Sequence, residues 1–222
     1  MDKREFVIKY QKVIGVGLRI YNRLHIKNRF IIGKNLLTYH CAQLKNVRIH
    51  IYGEENQIII HNFARLFNTS ITVNGNGNTV EIGEFCAFNQ TELHIEDDGN
   101  TIRVGDYTTI HGKTHLAAIE GTKIEIGNDC MFSSDIHFAT GDSHSILDFE
   151  GKRRNLSQDI VIGNHVWLGT KVTCLKNVRV ADNCIVGACT LLCKQYDTLN
   201  CIIGGVPGRV LEEKIVWKRE RI

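Results

Sequence analysis

The segment FATGDSHSILDFEGKRRNLSQ, Phe138 to Gln158, gathers side chains suited to proton chemistry: Asp142, His144, Asp148, Arg153 and Arg154. An imidazole titrates near pH ~6.5, so His144 can act as a general base at neutral pH, worth roughly 10²–10⁴-fold in rate. Asp142, two residues earlier, is a candidate to fix the tautomer of that ring and steady its charged form. The chain has ten histidines, so rivals exist. His137 closes the hexad FSSDIH one 22-residue period after His115, and His165 occupies a corner slot in IGNHVW as a structural or site-lining residue.

What positions these residues is a repeat. NQIIIHNF, NTVEIGEF, NTIRVGDY, TKIEIGND and QDIVIGNH align, with Ile60, Ile82, Val104 and Ile126 spaced by 22. From Ile162 the unit contracts to six: Ile162, Leu168, Cys174, Val180, Val186 and Leu192 open successive hexads. Short β-branched strands cannot bury a face alone. Three such strands closing a triangular coil, with coils stacked, put each aliphatic over its counterpart and build an apolar column. Gly, Asn and Asp after the aliphatic suit the corners. A β-sandwich also has short strands and turns, but it does not predict hexads in unbroken register. Ile126 and Ile162 lie 36 positions apart, one bare coil plus 18 residues. The rhythm holds through His137, a third face begins at Phe138, and the chain returns near Ile160, so a loop at about 139–159 is expected to leave the prism and carry the base.

The bulk properties bound the rest. A chain of 222 residues with 43% hydrophobic and 23% charged content fits one sizeable soluble domain. No apolar run approaches the ~20 residues that span a bilayer, and the start, MDKREFVIKYQK, lacks the apolar core of a secretory signal; a cytoplasmic protein is expected. Eight cysteines form no CxxC pair, and Cys86, Cys130 and Cys184 fall in equivalent repeat slots, which reads as small buried hydrophobes. The net charge of +3 is uneven: residues 1–34 hold nine Lys/Arg against two Asp/Glu, and the remainder 18 against 22. That basic segment, with apolar residues at helical spacing, suits an anionic membrane surface, an acidic glycan, or a solvated end cap.

The runs ATGDSHSI, IVIGNHVWLG and GGVPGRVL, in that order, resemble the hexapeptide-repeat acyltransferases, and most of all the branch that O-acetylates sugars and surface polysaccharides. The likeness is strong over about 122–216 and weaker, though period-consistent, over 50–121. It implies an all-β left-handed parallel β-helix, a handedness that periodicity alone does not give. The expected organisation is a basic, partly helical segment at 1–30, the β-helix at 31–206, and a tail at 207–222 whose RVLEEKIVWKRER reads as a short amphipathic helix capping the open end. The resemblance further implies acetyl-CoA as donor and a sugar hydroxyl as acceptor, with His144 as base. It assigns the donor to Trp167, Gly169, Thr170, Ala188, Cys193 and Lys194; the charges of Lys194 and Arg209 make them the candidates to face its phosphates, and Ser134, Asp135 and His137 are candidates to line the acceptor. Cys193 stands where the family often has threonine, and Gly208 follows the proline where another small residue is usual. The family forms homotrimers with sites between subunits; no metal and no nucleic acid are expected. Three alternatives stay open: N-acetylation of a nucleotide-linked amino sugar, a non-catalytic β-helix scaffold, and a zinc carbonic anhydrase-like site drawing on His115, His137 and His144.

Overall fold

Each hexad folds as one face of a triangular coil. The computed structural model describes residue 5, residues 8–39 and residues 41–221; of the expected N-terminal segment, residues 1–4, 6 and 7 lie outside that set. The first face is an eight-stranded parallel sheet running from Leu36–Thr38 to Gln195–Tyr196. In it Ile60, Ile82, Val104, Ile126, Ile162, Val180 and Tyr196 stand directly above one another. The second and third faces merge into one sheet because the long strands Ala87–Glu96 and Thr109–Ile119 turn the corner between them. In the upper coils Leu168 pairs with Val186 and Cys174 with Leu192, the 18-residue register read from the hexads. The aliphatics that open the hexads are buried throughout, each worth ~1.5–3 kcal/mol against exposure.

The residues after those aliphatics make the corners. Glu84, Asp106, Asn128 and Asn164 each donate a backbone N–H to the side-chain Oδ1 one coil above, at 2.7–2.9 Å. The preceding glycine is needed for space: a Cβ on Gly83 or Gly105 would lie 2.5 Å from that same oxygen. Another ladder runs inside the wide corners of the lower coils. Asn78 N–H donates to Asn56 Oδ1 at 2.9 Å, Asn100 N–H to Asn78 Oδ1 at 2.7 Å, and Thr122 N–H to Asn100 Oδ1 at 3.0 Å. Buried backbone groups at a widened corner need such partners.

The helix Gln11–Leu24 closes the lower end. Its Gly15 lies against Cys41, where a Cβ would sit 2.6 Å from the sulfur. Buried Asn22 donates to the Ala42 carbonyl and accepts from Leu44 N–H, both at 2.8 Å, which satisfies open edge groups of the first coil. The solenoid starts at Arg29–Ile31, which pairs with Arg48–Tyr52.

The expected helix at 207–222 does not form among the described residues. Arg209–Glu213 is a strand antiparallel to Cys201–Gly204. Beyond it Ile215, Trp217 and Arg219 face the protein while Val216 and Lys218 are exposed. That alternation has the period of a strand, and the open sheet edge of the last coil supplies hydrogen bonds that a helix would leave unmet. Gly208 is also explained: a Cβ there would meet the Tyr196 hydroxyl at 2.8 Å.

Candidate functional site

The loop leaves the prism after the third-face strand Ile136–Ala139 and returns at Ile160–Ile162. Its exit is where the internal asparagine ladder ends. Thr122 hydroxyl lies 2.7 Å from that of Thr140, and Thr140 Oγ1 also accepts from Ile119 N–H at 3.0 Å. Gln158 N–H donates to the Thr140 carbonyl at 2.9 Å and closes the base of the loop.

Within it, Asn155 is a buried hub. Its amide donates to Asp142 Oδ2 and to the His144 carbonyl, and its Oδ1 accepts from Ile146 N–H, all at 2.7 Å. Lys176, from the next coil, pairs with the Asp142 carboxylate. Arg153 and Ser157 both reach Glu120 at 2.7 Å, and Asp148 accepts from Lys152 N–H at 2.8 Å. These contacts hold the Asp142 and Glu120 carboxyls below the usual range: Lys176 and then Asn155 act on the first, Arg153 and then Ser157 on the second. The loop is therefore a braced element.

His144 sits in a tight turn, its N–H donating to the Asp142 carbonyl at 2.8 Å past Ser143 at φ +60°. Its imidazole is exposed and, among the described residues, has no hydrogen-bond partner. The expected pairing of Asp142 with that ring is thus corrected within one chain. The carboxylate is taken by the ammonium of Lys176 and the amide of Asn155, and it positions the loop rather than the imidazole.

His137 lies below the loop on the third face. Its ring stacks on His115, with centroids 5.2 Å apart and the two Nδ1 atoms at 3.2 Å. Burial lowers the pKa of both rings, favouring the neutral form in which one ring donates and the other accepts. They border a groove of about 300 Å³ together with His94, Asp142 and Ser143, and one of about 380 Å³ together with Lys113 and Asp135.

The other sequence-predicted residues fall into two groups. Trp167, 37% exposed, points outward from the second face between Met131 and Ile185. Ser134, Asp135, Gly169, Thr170 and Ala188 follow at the corner leading to the third face; Ser134 Oγ lies 3.0 Å from Thr170 Oγ1, and a Cβ on Gly169 would sit 2.7 Å from Ala188 N. Arg209 pairs with Gly204 on the same side. Cys193 and Lys194 lie instead near the opposite edge of the third face, as the loop does, with Lys194 Nζ 5.6 Å from the Tyr196 ring. A five-residue face is roughly 15 Å wide, so one chain separates the candidate base from Trp167.

Sequence reasoning missed Asn155, Lys176 and the tail residues Trp217 and Arg219. For the tail, the period-two order Ile215, Trp217, Arg219 carried a signal. Cys86, Cys130, Cys174 and Cys184 are buried free thiols, and burial pushes those of Cys86 and Cys130 up to about 12 and about 11. Among the described residues no group of three or more His, Cys, Asp or Glu is arranged to hold a metal ion.

No family model matches the chain. The polysialic acid O-acetyltransferase of Neisseria meningitidis is 33% identical over 110 residues, 49% of this chain and 51% of that protein. The enzyme of that description from Escherichia coli is 29% identical over 97 residues, 43% of this chain and 31% of that protein. The chain thus spans about half or less of these two curated relatives. Among solved structures, a polysialic acid O-acetyltransferase superposes with a TM-score of 0.71 at 31% identity, covering 89% of this chain and 90% of that one. A polysialic acid-specific acetyltransferase gives 0.76 at 25% identity, over 87% and 79%. The solenoid is thereby a left-handed parallel β-helix of the acetyltransferase kind. The chain belongs to the hexapeptide-repeat acyltransferases, in the branch of sugar and polysaccharide O-acetyltransferases.

Proposed function

We propose that this protein transfers acetyl from acetyl-CoA to a hydroxyl of a surface polysaccharide, with polysialic acid the first acceptor to test because two relatives carry that name. The observation that carries the reading is the loop: Asn155 fixes the His144 carbonyl at 2.7 Å while the imidazole, among the described residues, has no hydrogen-bond partner. His144 takes the proton as the sugar oxygen forms its bond to the thioester carbonyl carbon. When the carbon–sulfur bond breaks, the imidazolium returns that proton to the departing sulfur, leaving free coenzyme A and an O-acetyl ester. Trp167, Gly169, Thr170 and Ala188 border the pantetheine arm, Lys194 and Arg209 meet the phosphates, and Ser134, Asp135 and His137 line the acceptor.

The separation of His144 from Trp167 on one chain supports a homotrimer, in which one subunit's loop faces another's second face. The enzyme works in the cytoplasm at the inner face of the membrane. There the helix Gln11–Leu24 turns Val13, Val16, Ile20 and Leu24 outward, each at least 52% exposed, beside Lys9, Lys12 and Arg23. Each such cation is worth about 1 kcal/mol near an anionic surface. Among the described residues no helix is long and apolar enough to cross a membrane. Sedimentation with phosphatidylglycerol vesicles but not phosphatidylcholine vesicles is expected; equal behaviour would remove the membrane contact.

The reaction is tested by incubating acetyl-CoA with polysialic acid, a galactoside and a neutral glucan and reading thiol release. Wild type should release thiol with at least one acceptor and His144→Ala with none. Full activity of His144→Ala would overturn the assigned base.

A further inference from the structure

Residues 214–219 form a strap that the proposed chemistry does not use. Past the strand Arg209–Glu213, Ile215 N–H donates to the Asn200 carbonyl at 2.9 Å. Trp217 then stacks on His165, centroids 3.9 Å apart and planes 8° from parallel, while its Nε1–H donates to the His165 carbonyl at 3.0 Å. Arg219 anchors the end with four contacts: Asp129 Oδ1 at 2.8 Å, Thr109 Oγ1 at 3.0 Å, and the carbonyls of Cys130 at 2.7 Å and Tyr107 at 3.3 Å. Asp129 Oδ2 in turn lies 2.7 Å from His165 Nδ1, and His165 Nε2 lies 3.2 Å from the Trp217 carbonyl oxygen. Trp217 is 6% exposed, with its one polar atom paired and its face covered. It is a fixed side chain.

Its neighbour is Trp167, with ring centroids 6.0 Å apart and planes tilted by 47°, a favoured aromatic geometry. Trp167 stands on the outside of a flat face, 37% exposed. Met131 flanks it below and Ile185 above in register; Trp217 supplies a rigid aromatic wall at its side. We infer that Trp217, locked on His165 in a segment that Arg219 anchors, is a positioning residue that sets the orientation of the Trp167 indole in the proposed acetyl-transfer site. This rests on the role given to Trp167 above, and the geometry accounts for the strap. Ordering so many residues costs conformational entropy; among the contacts that offset it, the Trp217–His165 stack and hydrogen bonds lie beside Trp167, and Arg219 joins them through Asp129, which also pairs with His165. A reacting group displaced by ~1 Å can lose about 10²-fold in rate, so a wall for an exposed side chain is a kinetic element.

The chain has two tryptophans, which makes the test direct. With Trp217→Ala or Trp217→Phe, all indole emission comes from Trp167. Acrylamide should quench Trp167 at least about twofold more strongly in the alanine variant than in the phenylalanine variant, which keeps an aromatic wall. In thiol-release assays with the best acceptor of the panel above, run well below each melting temperature, Trp217→Ala should lose about tenfold or more in kcat with KM for acetyl-CoA within about threefold. Trp217→Phe should stay close to wild type, and Arg219→Ala should fall between them. Equal quenching in the two variants, or wild-type kcat in Trp217→Ala, would overturn the inference. Trp167→Phe separates the two levels: if it is fully active, the role given to Trp167 fails, whereas an impaired Trp167→Phe beside an unimpaired Trp217→Ala removes the positioning role alone.

Discussion

The corner between the first and second faces carries one backbone conformation and two chemistries. Phe63, Phe85, Tyr107, Asp129, His165 and Asn183 occupy it in successive coils, all with φ between +52° and +63°. In the lower coils the occupants are aromatic, with ring centroids 5.0 Å apart for Phe63–Phe85 and 5.2 Å for Phe85–Tyr107. In the upper coils they are polar, and the tail docks where the change occurs, Arg219 on Asp129 and Trp217 on His165. Left-handed conformations are unfavourable for bulky residues, so the lower column holds them by stacking. The upper column gives up that stacking for hydrogen-bonding groups a second segment can grip. The internal asparagine ladder follows the same divide, running through Asn56, Asn78 and Asn100 and ending at Thr122 under the loop. At this corner one architecture thus yields a column held by its own stacking below and a surface that the tail grips above.

Breaking the two halves should give opposite phenotypes. The largest effect belongs to His144→Ala, with activity falling roughly 10²–10⁴-fold and the melting temperature unchanged, read by thiol release and thermal unfolding. Asn155→Ala should be next, about 10- to 100-fold in kcat because the His144 carbonyl loses its anchor, with the lower stack intact by circular dichroism. Asn78→Ala should do the reverse. It strands a buried N–H on Asn100, costs about 1–3 kcal/mol and lowers the melting temperature, while kcat measured on folded protein stays at the wild-type value. The smallest effect is pH-dependent. Burial lowers the pKa of His115 and His137 in the folded state, so the folded protein holds fewer protons there than the unfolded chain. Their contribution is fully present above the ordinary histidine value of ~6.5 and is lost as pH falls through it toward the folded values. The melting temperature should drop on that acid side, and a His115→Asn, His137→Asn double variant should flatten the drop. A wild-type curve with no acid slope would contradict it.

The solenoid was legible because its physics is periodic. The spacing of Ile60, Ile82, Val104 and Ile126 and the hexads from Ile162 place the core column, and 36 residues between Ile126 and Ile162 mark the loop. The partners inside the loop were not legible. Asn155 reaches back 11 residues to His144, and Lys176 reaches across a coil to Asp142; such polar pairings have no period. The tail was misread because charges around Val210 and Leu211 mimic an amphipathic helix, while the deciding influence is the open edge of Cys201–Gly204. His144 and Trp167 stood out as motif residues, but their separation within one chain follows from which face each occupies.

The lower stack also works as a spacer of fixed increment. From the strand at Gln43, just above the N-terminal helix, in-register partners climb through Arg65, Ala87, Thr109 and Met131 to Trp167. Five rungs of about 4.8 Å lift Trp167 roughly 24 Å above that strand. Removing or adding one whole coil would move that height by a single rung and leave every reacting group unaltered. The distance from the N-terminal helix to Trp167 is thus set in discrete steps, independently of the chemistry.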